Sequence, residues 1–61
     1  MKVEIKRNRK NTYHEIDKIY IDNKLKYTQS NLAIGNRYGA KKYKLSNGNI
    51  LSVSAWERIG D

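Results

Sequence analysis

Sixty-one residues with no cysteine, a single histidine and a net charge of +7 describe one small basic domain, residues 1–61, held together by packing alone and near the lower size limit for a self-supporting core. Disulfides and thiolate metal sites are excluded, His14 has no second imidazole with which to share a metal, and no apolar run approaches the ~20 residues that span a bilayer. The N-terminal MKVEIKRNRK lacks the apolar core of a secretion signal, so the expectation is a cytoplasmic protein with no cofactor and no membrane partner.

In KVEIK, residues 2–6, Val3 and Ile5 alternate with Lys2, Glu4 and Lys6, the period of two that marks a half-buried strand. The following RNRKN has no apolar residue and reads as an exposed loop that carries Arg7, Arg9 and Lys10 into solvent. The next run ends near Thr28 and holds a turn candidate at Asp22-Asn23-Lys24. A three-residue loop pairs Ile21 with Leu25 and Ile19 with Tyr27, keeping all four on one face, whereas a two-residue Asp22-Asn23 loop pairs Ile21 with Lys24 and splits the apolar set. Register follows burial, so the longer loop is expected, with Lys18, Tyr20 and Lys26 on the opposite face.

QSNLAIGNRYG, residues 29–39, admits a helical turn capped by Ser30 or a strand in which Leu32 and Ile34 alternate. Gly35 and Gly39 oppose a long helix, which leaves an irregular connection with at most one turn. Beyond it, Asn47-Gly48 is the strongest turn signal in the chain. A type I turn at Ser46-Asn47 with a left-handed Gly48 opposes Leu45 to Asn49, Tyr43 to Leu51 and Lys41 to Val53. That register turns Tyr43, Leu45, Leu51 and Val53 inward and Lys42 and Lys44 outward. Finally, SAWERIG fits a capped helical turn with Ser54 as cap, Glu57 three residues on and Gly60 as terminator. Trp56 would then plug the end of the sheet.

These elements predict a mainly β protein of roughly five strands: a small curled antiparallel sheet or a five-stranded barrel of SH3-like or OB-like kind, with a short C-terminal helical turn.

His14, Glu15 and Asp17 are the only cluster of acid and base groups, and strand geometry points His14 away from Glu15. With so few acids and one imidazole, no nucleophile or metal constellation is assembled, and an enzyme is not expected. The cations carry more information. Residues 1–10 hold a net +4, residues 11–30 a net zero and the remainder a net +3, so two basic blocks flank a neutral middle and point to a polyanionic partner.

The leading expectation is a non-enzymatic nucleic-acid-binding module that grips backbone phosphate through Lys2, Lys6, Arg7, Arg9, Lys10, Arg37, Lys42 and Lys44. Tyr20 and Tyr38 are its candidate stacking platforms. Should the first strand lie beside the final hairpin, Lys2 and Lys6 would extend the patch of Lys42 and Lys44. Duplex and single strand are both open, as is self-association. The alternative is a protein that binds and inhibits an acidic host protein, such as a defence or transcription enzyme. The heavy use of Lys, Asn, Ile and Tyr, without Pro or Phe, fits AT-rich coding of the kind found in low-GC bacteria, their phages and mobile elements.

Overall fold

The computed structural model describes residues 1–32 and 35–60, which form six strands: β1 (Val3–Arg9), β2 (His14–Ile21), β3 (Lys24–Leu32), β4 (Lys42–Lys44), β5 (Ile50–Ser52) and β6 (Ala55–Arg58). Four of them make one sheet in the order β3-β2-β1-β6, and β4 and β5 make a separate hairpin. The two sheets do not close into a barrel. The hairpin packs on one face of the larger sheet, and Val3, Ile5, Ile19, Tyr43 and Leu45 are buried between them. Ile21, Leu51, Val53 and Trp56 pack around that core. Among the described residues no helix is long and apolar enough to cross a membrane.

β1 is longer than the KVEIK pattern. It runs on through Arg9, so the expected loop at Arg7 is strand, and Arg7 continues the inward alternation of Val3 and Ile5 at 1 % exposure. Register explains this, because Arg7 lies opposite Asp17 of β2 and a buried cation is tolerated where a carboxylate meets it. The chain turns at residues 10–13, where the Asn11 side-chain oxygen accepts from the Tyr13 and His14 amides at 2.9 and 3.0 Å.

The β2–β3 turn corrects the expected three-residue loop. Ile21 pairs with Lys24, and Asp22 and Asn23 alone form the loop at φ 50° and 69°. Asp and Asn tolerate the left-handed region that a longer loop would have forced on Lys24. The apolar phase is recovered one step later by a bulge between Ile19 and Tyr20, so Ile19 still faces Tyr27 while Leu25 moves opposite Tyr20. At the turn, the Asp22 amide donates to the Lys2 carbonyl at 2.8 Å, and the Asp22 carboxylate accepts from the Lys2 amide at 2.9 Å.

β3 extends through Leu32, and the Gly35 amide donates back to the Leu32 carbonyl at 2.8 Å. Ile34, part of the alternation considered for this segment, lies outside the described residues. The β4–β5 hairpin adopts the bulged register expected for it. Tyr43 opposes Leu51, the Leu45 amide donates to the Asn49 carbonyl at 2.8 Å, and Gly48 has φ +95°.

The C-terminal helical turn is not formed; residues 55–58 are β6, parallel to β1 from Glu4↔Ala55 to Arg7↔Arg58. One isolated helical turn fixes many dihedrals for few bonds. A short strand instead satisfies the free edge of the long β1. Ser54, expected as a helix cap, donates its amide to the Val3 carbonyl at 2.8 Å and accepts from the Val3 amide with Oγ at 3.3 Å.

Candidate nucleic-acid interface

The inward face of the larger sheet is apolar at one end and charged at the other. Arg7 Nε and one terminal nitrogen donate to the two oxygens of Asp17 at 2.6 and 2.7 Å, with both residues almost fully buried. Tyr43 from the hairpin donates its hydroxyl to Asp17 Oδ2 at 2.7 Å, and Asn31 of β3 donates to the same oxygen at 2.8 Å. A bidentate ion pair with two further donors gives both oxygens of the buried carboxylate hydrogen-bond partners. Burial works against the Arg7 charge, but the bonds and field of Asp17 outweigh it and hold the guanidinium above its ordinary pKa. Burial, then the bond to Asp17, push the Tyr43 phenol far above the ordinary tyrosine range.

The hairpin is fastened to this sheet by side-chain amides that stand in for a neighbouring strand. Asn36 donates to the Lys44 carbonyl at 3.1 Å and accepts from the Lys44 amide at 3.2 Å. Gln29 of β3 donates to the same carbonyl at 3.0 Å and accepts from the Ser46 amide at 3.0 Å. The backbone of β4 is thereby held beside β3. Because Tyr43 points inward, the pleat sends Lys42 and Lys44 outward from an anchored strand. Lys24 and Lys26 are exposed on β3, and Arg37 is exposed next to the Asn36 clamp.

The other expected site residues are dispersed. Arg7 is removed from the surface by its burial against Asp17 and is corrected to a framework residue. β1 pairs with β2 and β6 and turns Val3 and Ile5 toward the hairpin, so Lys2 and Lys6 alternate to the opposite face and do not extend the hairpin patch. Lys6 emerges on the opposite face, 3.8 Å from Glu57, with its ammonium 5.0 Å above the Tyr20 ring. Lys2 stands 3.7 Å from Glu4. Arg9 and Lys10 are exposed where β1 turns into β2. Tyr38 meets Trp56 edge-on, with ring centroids 5.7 Å apart. Trp56 is partly buried against the core and donates its indole N–H to the Ala40 carbonyl.

Glu15 and Asp17 share the inward face, and arginines engage both, Glu15 through Arg58 at 3.0 Å. His14 faces the other way, with Nδ1 3.2 Å from Asn11 Oδ1. Among the described residues no three His, Cys, Asp or Glu side chains converge to hold a metal ion.

Dividing the charge at residue 30 obscured the longest basic segment. Residues 23–56 contain Lys24, Lys26, Arg37, Lys41, Lys42 and Lys44 and no acidic residue. None of these six has an ion pair among the described residues, while Glu4, Glu15, Asp17 and Glu57 are each taken by a cation elsewhere. Lys24 and Lys26, absent from the expected site, were detectable from that acid-free interval alone. The chain matches no family model, no curated protein and no solved structure.

Proposed function

We propose that this protein is a non-enzymatic nucleic-acid-binding module that grips backbone phosphate along its β3–β4 flank, through Lys24, Lys26, Arg37, Lys42 and Lys44. The observation that carries the reading is the partition of charge: internal ion pairs use Glu4, Glu15, Asp17 and Glu57 away from a flank that keeps its cations unpaired among the described residues. Cations on one surface of a polyanion ligand each release about one counterion, so affinity accumulates without base contacts. Anchoring of β4 by Asn36 and Gln29 lowers the ordering cost at the moment of binding.

Binding of a labelled generic oligonucleotide across a salt series tests the reading. The logarithm of affinity should fall linearly with the logarithm of salt, with a slope of several units for roughly four to six phosphate contacts. No binding at ~50 mM salt, or a flat response, overturns it.

A second reading has one observation in its favour. β3 is the longest strand, and its outer side has no strand neighbour among the described residues. An acidic partner protein could extend the sheet there by strand addition. Under that reading the oligonucleotide does not bind and the slope is never measured.

A further inference from the structure

We infer that the nucleic acid bound is single-stranded, with one unpaired base stacked on Tyr38; the inference rests on the phosphate-binding reading above. Tyr38 sits in the turn formed by residues 37–40, closed by the Ala40 amide donating to the Arg37 carbonyl at 3.1 Å. Gly39 supplies the turn's left-handed φ of +85°. An exposed loop tyrosine would ordinarily sample several rotamers, yet this one is braced from behind. Its ring meets Trp56 at 5.7 Å and 65°, and the Arg58 guanidinium lies over the ring, 5.8 Å from its centroid.

The braces are themselves fixed. Trp56 bonds the Ala40 carbonyl of the same turn, and Arg58 bonds Glu15 at 3.0 Å. Tyr38 is nevertheless 47 % exposed. A braced, part-exposed aromatic ring stacks an incoming base without first losing rotamer freedom. Arg37 precedes it directly in the chain and Lys41 and Lys42 follow the turn, all three exposed, so cations are available within a few residues of the platform for the phosphates flanking a stacked nucleotide.

The other tyrosines do not offer this combination. Tyr20 is only partly exposed, Tyr43 is fully buried, and Tyr13 and Tyr27, 72 % and 40 % exposed, have no ring contact among the described residues to brace them. Bases in a duplex are stacked on each other and present only their edges, so Tyr38 selects for a strand whose bases are unpaired.

Three labelled probes of equal length separate the possibilities when titrated against the full chain: an oligothymidine strand, the corresponding duplex and an abasic strand that keeps only sugar and phosphate. The thymidine strand should bind roughly tenfold or more tighter than the abasic strand, and tighter than the duplex. Tyr38→Leu should abolish that advantage while leaving abasic-strand affinity and the salt slope unchanged, and Tyr38→Phe should retain it. Equal affinity for thymidine and abasic strands, or a preference for duplex, overturns the stacking inference and leaves phosphate binding standing. No binding of any probe overturns both. The comparison of probes on the unmodified chain decides the matter even if Tyr38→Leu fails to fold.

Discussion

Arg7 and Lys44 are both cations on β-strands, and the two regions around them use charge in opposite ways. Around Arg7 the charge is paired, shielded from water and bonded in sequence through Asp17 to Tyr43 and Asn31, which ties β1, β2, β3 and the hairpin together. Around Lys44 only the backbone is tied, by Asn36 and Gln29, and the side chain is left in solvent. The interior pair therefore sets the structure, where its loss is costly, while the flank cations can be removed with little effect on folding. A single net charge of +7 conceals that division.

The largest expected effect comes from splitting the interior pair. Asp17→Ala should destabilise by about 3–5 kcal/mol because it strands a buried guanidinium and two donors. Arg7→Ala combined with Asp17→Ala should cost well below the sum of the single changes. Denaturant melts of the set would measure the coupling, and additive losses would mean that the pair is not a unit.

Next comes Tyr43→Phe, expected to cost about 1.5–3 kcal/mol through the hydrogen bond to a charged acceptor. The same hydroxyl links stability to pH. A folded-state pKa raised above the unfolded value contributes stability that is complete below about pH 10 and is lost as pH climbs from there toward the folded value. Melts between pH 8 and about 12 should fall more steeply for the parent than for Tyr43→Phe, and identical slopes would refute the assignment.

Smaller again is Gly48→Ala. No heavy atom lies within 4 Å of the added methyl, so the cost of roughly 1 kcal/mol is that of an alanine held at φ +95°. An unchanged melting temperature would show that the turn relaxes to another conformation.

Much of this arrangement was legible in particular residues. Val3 and Ile5 placed β1, and the apolar set Tyr43, Leu45, Leu51 and Val53 fixed the hairpin register around Gly48. Arg7 was misplaced because a cation has no local signal that distinguishes an exposed loop from a buried strand. Its partner Asp17 lies ten residues away, and only strand pairing brings the two together. The β2–β3 loop was misread for a related reason: burial pattern alone could not see that a bulge would repair the phase after a two-residue turn. β6 resembled a capped helix in its local spacing, and the deciding term was the unpaired edge of a strand at the other end of the chain. The β3–β4 flank depends on Gln29 and Asn36 reaching the hairpin backbone, contacts for which the sequence holds no periodic sign.

The smallest expected effect on folding belongs to Lys42→Ala with Lys44→Ala, which should shift stability by less than about 0.5 kcal/mol. The same pair also gives the most direct test of the division between the two regions. Salt dependence of oligonucleotide affinity would be measured for the parent, for this pair, and for Lys2→Ala with Lys6→Ala, whose side chains are engaged by Glu4 and Glu57. The account predicts that the hairpin pair lowers the slope by about one to two units, while the Lys2 and Lys6 pair leaves it nearly unchanged. A larger drop for Lys2 and Lys6, or an equal drop for both pairs, would contradict it and place the interface on the opposite face of the sheet or over the whole surface.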